Sequence, residues 1–283
     1  MSIFNKKDKP ADALTSFEKE FIHKQKVNPA VKAGSIVLYA TVIIAVCACI
    51  LMAVLDKAGV APSPLPDKDK TADKAHTVDV SSHPESLQKL YAENFETADF
   101  VASYFDEKDK VREVNLKKYK RTKDVPLFIQ WDKQWGYLQY GEDIAGVNGD
   151  GPMCLAMAGF YLTGDEAFSP DKLLAFSVEN GFYKKGKGTL SSLMKEGAVQ
   201  LGLNSTELEV TAENIGAALG EGKVVICYTE KGKLSSSAHY VVIRELTDGK
   251  AYINDPTSIV NSEKQWLYED IAPFIKNAWA ISK

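Results

Sequence analysis

The longest apolar segment of the chain runs from Gly34 to Leu55 and contains no formally charged residue. Its sequence, GSIVLYATVIIAVCACILMAVL, lacks the polar stripe that a buried helix of a water-soluble protein normally shows. A helix of this length rises about 33 Å, which is enough to cross the core of a bilayer. The pattern predicts a transmembrane helix over residues 34–55. A cleaved signal peptide is the alternative, with residues 58–61 as its cleavage site, although the apolar run exceeds the usual length.

The charges on either side of this segment predict its orientation. Residues 1–33 carry seven lysines and no arginine, whereas Lys57 is the only basic residue between the segment and the proline-rich stretch that follows. Because basic residues favour the cytoplasmic side, we expect residues 1–33 to be a cytoplasmic leader. The chain is therefore predicted to be a single-pass protein of the cell membrane with its C-terminal part outside the cytoplasm.

Residues 56–83 are rich in Pro, Asp, Lys, Ala and Ser and contain few large apolar side chains. Such a composition buries too little apolar surface to offset the loss of chain entropy on folding. We therefore expect a disordered tether, in which His76 and His83 are solvated.

A helix is predicted next, capped by Ser81 or Ser82 and with Pro84 in its first turn. It opens a helical segment predicted over residues 84–124. Its apolar residues recur every three or four positions, which indicates a face that packs on the domain behind it. These residues are Leu87, Leu90, Tyr91, Phe95, Ala98, Val101 and Phe105.

From residue 125 to residue 283 the pattern predicts one compact domain. A short strand is expected over 125–129, followed by helices near 149–162, 170–179 and 189–201. Strands are expected over 223–229, 239–246 and 250–255, and a closing helix near 268–277. Helices that precede antiparallel strands are typical of the α+β class.

Composition and charge narrow the classes of function. A net charge of −4 provides no general attraction for nucleic acid, and no nucleic-acid partner is expected. Of the four cysteines, Cys47 and Cys49 fall inside the predicted span, which leaves Cys154 and Cys227 for the outer domain. One disulfide between the last two is arithmetically open, but the spacing does not indicate a disulfide framework. We expect neither a metal nor another cofactor.

Several short motifs follow one another between residues 126 and 266. They are Pro126-Leu-Phe-Ile-Gln-Trp-Asp-Lys-Gln-Trp-Gly136, Tyr140-Gly141, Gly149-Asp-Gly-Pro-Met-Cys-Leu-Ala-Met157, Gly188-Thr-Leu-Ser-Ser-Leu-Met-Lys-Glu-Gly197, Ala238-His-Tyr-Val-Val242, Asn254-Asp-Pro256 and Asn261-Ser-Glu-Lys-Gln-Trp266. In this order they resemble the bacterial papain-like cysteine peptidases that process bacteriocins, known as cysteine peptidase family 39. The resemblance implies a papain-like α+β fold over residues 125–283 and a bacterial source.

The resemblance also implies roles for four positions. Gln130 matches the glutamine whose amide helps to stabilise the oxyanion, His239 matches the catalytic base, and Asp255 matches the group that orients this base. The family's nucleophilic cysteine is replaced by Asp150. A thiol at a helix N-terminus beside an imidazolium ionises near neutral pH and attacks carbonyl carbon, whereas a carboxylate is a poor nucleophile towards amides. We therefore predict that thiol-peptidase activity has been lost.

Other interpretations of these residues stay open. Asp150 precedes Gly-Pro at a predicted helix start and is a suitable N-cap. Cys154, four residues further along the helix, is a candidate substitute nucleophile, although packing is the simpler role for it and for Cys227. Asp150, His239 and Asp255 could together bind a metal, but no fourth ligand is apparent.

Four aromatic residues precede Asp150 in the sequence. Their simpler interpretation is core and rim of the fold, and the alternative is a groove that grips an extended peptide or a glycan strand. They are Trp131, Trp135, Tyr137 and Tyr140.

The sequence thus favours a membrane-anchored extracytoplasmic pseudo-peptidase that binds a peptide, protein or cell-wall ligand in its cleft. One rival is an active cysteine peptidase or transpeptidase that uses Cys154 or a non-standard route through Asp150. A second rival is a spacer that supports a membrane complex without binding anything in the cleft. Replacement of Trp135 by alanine is expected to distinguish a binding cleft from a spacer.

Overall fold

The computed structural model describes residues 78–120 and 123–283. The predicted leader at 1–33, the predicted span at 34–55 and His76 lie outside these ranges. Within the described ranges, no helix combines the length and the hydropathy needed to cross a membrane.

The end of the predicted tether contains an ordered, buried histidine. The ring Nε2 of His83 lies 3.0 Å from the carbonyl oxygen of Val101, and its ring packs 4.7 Å from that of Phe105, centroid to centroid. His83 is only 7% exposed, so the prediction that it is solvated is wrong. The folded part begins before the tether-like composition ends, because side chains from further along the chain cover His83.

The predicted first helix is divided into shorter helices. Helix α1 (Glu85–Glu93) has Pro84 as its N-cap residue, and no serine side chain caps it. The backbone of Asn94 is extended, and its side chain accepts a hydrogen bond from the backbone N–H of Glu96. Such local side-chain bonds compete with helical ones and end the helix here. A single turn (Phe95–Thr97), helix α2 (Ala98–Ala102) and helix α3 (Tyr104–Glu107) follow.

Residues 85–107, the N-terminal segment of the described fold, pack on the rest of the domain through Phe100. The Phe100 ring stacks on Tyr137 with 4.3 Å between ring centroids. A Cβ atom added to Gly136 or Gly146 would meet the Phe100 ring at 2.7 or 2.5 Å, so only glycine permits this contact at either position.

The central helix of the domain is α5 (Asp150–Thr163), which follows the short helix α4 (Ala145–Asn148). Ten consecutive residues of α5, from Gly151 to Phe160, are buried, so this helix lies inside the core. Helix α6 (Pro170–Glu179) begins and ends where the sequence predicts. The predicted strand over 125–129 is wrong, because this extended stretch joins no sheet; the Asn254 side chain donates to its first two carbonyl groups instead.

One six-stranded antiparallel sheet forms the second half of the domain. Its strands are β5 (Asn204–Leu208), β6 (Val224–Thr229), β7 (His239–Thr247), β8 (Lys250–Asn254), β9 (Gln265–Leu267) and β10 (Ile275–Ser282). They lie in the order β5-β10-β6-β7-β8-β9. Two two-stranded ribbons precede it, β1 (Gln139–Tyr140) with β2 (Asp143–Ile144) and β3 (Tyr183–Lys184) with β4 (Gly188–Thr189). Helices first and an antiparallel sheet later confirm the predicted α+β class.

The C-terminal part departs most from the prediction. The closing helix predicted near 268–277 is limited to α10 (Tyr268–Ile271) and a turn over Ala272–Phe274, after which the chain enters β10. The helix predicted near 189–201 consists of a wide helical turn (Leu193–Gly197) and α7 (Ala198–Gln200). Helices α8 (Ala212–Gly220) and α9 (Ile259–Glu263) were not predicted.

Helix α5 packs on one face of the sheet and helix α8 on the other. Alternate residues of the central strands, such as Ile226, Tyr240 and Val242, share a core cluster with α5. The intervening residues, such as Cys227 and Val241, share a second cluster with α8. The N-terminus of the buried helix and the first residues of β7 therefore meet at one end of the sheet.

Candidate functional site

An open cleft of about 830 Å³ lies at this meeting point. Gln130, Asp150 and His239 all line it, whereas Asp255 is fully buried behind His239. The opposite wall comes from the N-terminal segment, through α1 and the turn after it. The structure therefore brings the four sequence-predicted positions to one place.

The imidazole of His239 is held between two acceptors. Its Nε2 lies 3.2 Å from Oδ2 of Asp255, and its Nδ1 lies 3.3 Å from Oγ1 of Thr229. The Thr229 hydroxyl also lies 3.1 Å from the carbonyl oxygen of His239. When its proton points to that carbonyl group, its oxygen can accept from Nδ1, and both ring nitrogens can then donate, as an imidazolium does. Thr229 reaches this position because it pairs directly with His239 in the β6–β7 register.

Asp255 is surrounded by hydrogen-bond donors. Its Oδ1 accepts from the backbone N–H and the hydroxyl of Thr257 at 2.8 and 2.7 Å. Its Oδ2 accepts from Asn261 Nδ2 at 2.8 Å in addition to His239. Burial alone would raise the pKa of Asp255, but His239 and the surrounding donors outweigh it and lower that pKa. Asp255 is therefore built to stay ionised.

Asp150 occupies the first position of α5, and its side chain bridges to the neighbouring strand. Its Oδ2 accepts a hydrogen bond from the backbone N–H of Tyr240, the residue after His239, at 2.7 Å. The expected N-cap role is wrong, because the N-cap residue is Gly149 and the carboxylate crosses to β7 instead. Within the described part of the chain, no hydrogen bond or ion pair joins the side chains of Asp150 and His239 directly.

The charges of the site are coupled. Burial raises the pKa of Asp150, although the charge of His239 and the Tyr240 N–H oppose this shift. Burial would lower the pKa of His239, but Asp255 and then Asp150 outweigh it and raise that pKa. The raised pKa of His239 favours its imidazolium form beside these two acidic side chains.

The amide of Gln130 is engaged by the protein itself. Its Nε2 donates to the carbonyl oxygen of Gly146 at 3.0 Å, and its backbone N–H donates to the carbonyl oxygen of Pro256 at 2.9 Å. Gln130 is 3% exposed, and its Oε1 has no hydrogen-bond partner among the described residues. The same Nε2 also donates to the carbonyl oxygen of Val147 at 3.5 Å, so an oxyanion would have to compete with these two carbonyl groups.

Neither cysteine of the described part can serve as an accessible nucleophile. Cys154 and Cys227 are both free and fully buried, and neither lines the cleft. Burial raises the pKa of the Cys154 thiol well above its ordinary value and that of Cys227 to about 12. The interpretation of Cys154 as a substitute nucleophile is therefore contradicted, and both thiols are core side chains.

The four aromatic residues before Asp150 do not form the cleft. Trp135 and Tyr140 are fully buried and Tyr137 nearly so, and Trp131 donates from its indole to the carbonyl oxygen of Thr257. None of the four lines the cleft, so the groove interpretation is wrong and the core interpretation holds. Replacement of Trp135 by alanine would open the core rather than alter the cleft.

The metal interpretation also fails on geometry. Over residues 78–120 and 123–283, no group of three or more His, Cys, Asp and Glu side chains is arranged to hold a metal ion. The oxygen and nitrogen atoms of Asp255 and His239 that could ligate one are used by each other and by neighbouring donors.

Several partners of the site residues escaped the sequence analysis. Thr229 is the last residue of a predicted strand, and its role depends on the strand register. Thr257 and Asn261 belong to or adjoin the quoted motifs, but only the folded loop shows that both donate to Asp255.

Solved structures that are similar to the chain include two peptidase structures, whereas no family model and no curated protein matches it. One is the peptidase domain of Streptococcus ComA, a bi-functional ABC transporter involved in a quorum-sensing pathway. It is 16% identical with a TM-score of 0.40, over 56% of this chain and 98% of that one. The other is a C39-like peptidase candidate from Bacillus anthracis, 15% identical with a TM-score of 0.39, over 57% of this chain and 96% of that one. Both likenesses are weak, so function must be inferred from the contacts around His239.

Proposed function

We propose that this chain is a papain-like pseudo-peptidase whose cleft binds an extended peptide without cleaving it. The observation that carries the proposal is the bond from the Tyr240 N–H to the Asp150 carboxylate, at the start of the buried helix and beside the His239–Asp255 pair. A carboxylate tied to the backbone occupies the place where the resemblance puts a thiol.

Peptide hydrolysis requires a nucleophile, a general base and a donor to the oxyanion, and none of the three is free to act in this cleft. A carboxylate at position 150 is a weak nucleophile towards amides. Both ring nitrogens of His239 already have partners, Asp255 on Nε2 and Thr229 on Nδ1, so a general base acting on a ligand would have to give up one of them. The Gln130 amide donates to Gly146 rather than into the cleft. What is left is a polar cleft with a fixed pattern of charges, which suits binding.

The membrane anchor and the extracytoplasmic location belong to the same proposal. They are supported by the uncharged segment 34–55 and by the lysine-rich leader. Digestion of the C-terminal domain by a protease added to intact cells checks both, and full protection of that domain would contradict them.

The function itself is tested by binding and cleavage measured on the same sample. The full-length chain in detergent micelles is mixed with a fluorescein-labelled pool of random octapeptides. We expect saturable binding by fluorescence anisotropy and no new fragments by mass spectrometry after prolonged incubation. Specific cleavage fragments would support the rival enzyme, and absence of binding would support the spacer.

A blocking variant shows whether binding takes place in this cleft. Ala238 is exposed and lines the cleft, so Ala238→Trp should obstruct it and reduce affinity at least about tenfold. Lys231→Trp is the matched control, because Lys231 is exposed in the same loop but does not line the cleft. Equal loss of binding in both variants would indicate a general effect of the loop.

A further inference from the structure

Phe95 is an aromatic side chain held out into solvent at the edge of the cleft. It is 78% exposed and lines the wall that the N-terminal segment contributes. A single exposed apolar residue is ordinary on a protein surface. Phe95 differs because both of its neighbours are fixed in place.

The two flanking residues are clamped to the loop that follows Asp255. Asn94 Nδ2 donates to the carbonyl oxygen of Thr257 at 2.7 Å. The Glu96 carboxylate accepts from the backbone N–H groups of Ile259 and Val260 at 2.7 and 3.2 Å. These bonds restrict the backbone of Phe95, so little conformational entropy is lost when its ring meets a ligand.

Other apolar side chains line the same cleft as Phe95. Val260, whose N–H is bonded to Glu96, is 52% exposed and lines the same cleft. Leu90 and Leu234 are half-buried and line it as well. The wall that carries Phe95 therefore offers apolar side chains among polar ones, which include Lys89, Glu93 and Glu96.

The charge of the cleft limits what can occupy it. Carboxylates outnumber cationic groups along its walls, which favours a cationic ligand. The carboxylates are Glu93, Glu96, Glu142, Asp143 and Asp150, and the cationic groups are Lys89, Lys187 and His239, whose pKa is raised.

We propose that Phe95 and Val260 form a specificity subsite for one large apolar side chain of an extended basic peptide. The inference rests on the proposed function, since it names the peptide that the cleft prefers. The segment that supplies Phe95 precedes the part of the chain in which the peptidase-like motifs occur. The subsite is thus an addition of this chain to the cleft.

The test compares three labelled octapeptide pools on the full-length chain in detergent micelles. The first carries leucine or phenylalanine at a central position and two lysines, the second has serine at that central position, and the third has glutamates for the lysines. Burial of one apolar side chain contributes about 1.5–3 kcal/mol, so we expect the first pool to bind about ten times more tightly than the second. The third pool should bind more weakly than the first.

Phe95→Ala should abolish the preference for the apolar pool, and Phe95→Leu should retain most of it. Phe105→Ala is the control, because Phe105 is an exposed phenylalanine of the same segment that does not line the cleft. Equal affinity of wild type for the first two pools, or an unchanged preference in Phe95→Ala, overturns the subsite while leaving the proposed function standing. Absence of binding to every pool overturns both.

Discussion

Two carboxylates flank the imidazole of His239, and the protein treats them differently. Asp255 lies in a loop whose side chains and backbone donate to both of its oxygens, and its pKa is lowered. Asp150 lies at the start of a buried helix, is partly exposed to the cleft and accepts from the backbone, and its pKa is raised. The same chemical group is thus stabilised as an anion in one place and only tolerated in the other.

The difference lies in the number of donors, since both carboxylates lie near the same positive charge. A buried anion is stable where several donors satisfy its oxygens, and burial dominates where they are few. The loop around Asp255 supplies donors to both carboxylate oxygens, whereas no side chain among the described residues donates to Asp150. Such a shortage of donors is expected at a position whose surroundings suit a group other than a carboxylate.

Removal of Asp255 should have the largest effect on stability. Asp255→Ala leaves the buried His239 without its carboxylate and removes an acceptor of Thr257 and of Asn261, and breaking such a buried pair costs about 3–5 kcal/mol. Chemical denaturation of the full-length chain, followed by tryptophan fluorescence, measures the free energy of unfolding.

Asp150→Ala is the matched comparison for that variant. It removes one acceptor for the Tyr240 N–H, so we expect a loss of only about 1–2 kcal/mol. Equal losses of stability in the two variants would show that the surroundings of Asp255 do not stabilise a carboxylate more than those of Asp150 do.

Replacement of Asp150 by cysteine should restore a reactive thiol. The helix N-terminus and the nearby imidazolium both stabilise a thiolate, so the thiol pKa should fall at least about one unit below its ordinary 8.5. The pH dependence of alkylation by iodoacetamide measures it, in a chain whose Cys47 and Cys49 are replaced by serine. The buried Cys154 and Cys227 should not react.

The control for this measurement is the chain in which Cys47 and Cys49 are replaced by serine but Asp150 is kept. It should show no fast-reacting thiol. A second comparison adds His239→Gln to Asp150→Cys and should return part of the thiol pKa towards 8.5. A thiol that titrates at about 8.5 in the single variant would mean that His239 does not influence position 150.

The local elements of the site could be predicted from the sequence, but their partners could not. The helix at Asp150 and the strand at His239 follow from runs of apolar residues, and the motifs mark the residues that stand at their ends. The Tyr240 N–H, the Thr229 hydroxyl and the clamp of Glu96 depend on which strands and loops become neighbours. Such contacts join residues far apart in the chain, and local periodicity does not encode them.

The failures at the C-terminus have a related cause. Residues 275–282 form a central strand of the sheet, yet their first residues continue a helical pattern from Tyr268. Pairing on both sides, with β5 and β6, outweighs that local preference. Likewise, Phe95 has the spacing of a buried helix face, but the break at Asn94 turns it outward.

The smallest expected effect is on the titration of His239. Asp150→Asn keeps an oxygen that can accept from Tyr240 but removes a charge that raises the pKa of His239, so this pKa should move down towards its ordinary value. A raised histidine pKa contributes stability that is fully present below about pH 6.5 and is lost as the pH rises through the folded-state pKa. The variant should therefore lose this contribution at a lower pH than wild type. NMR titration of the His239 ring in wild type and in Asp150→Asn measures the shift. An unchanged His239 pKa in Asp150→Asn would mean that the two groups do not share one electrostatic site, and that Asp255 alone maintains the imidazolium.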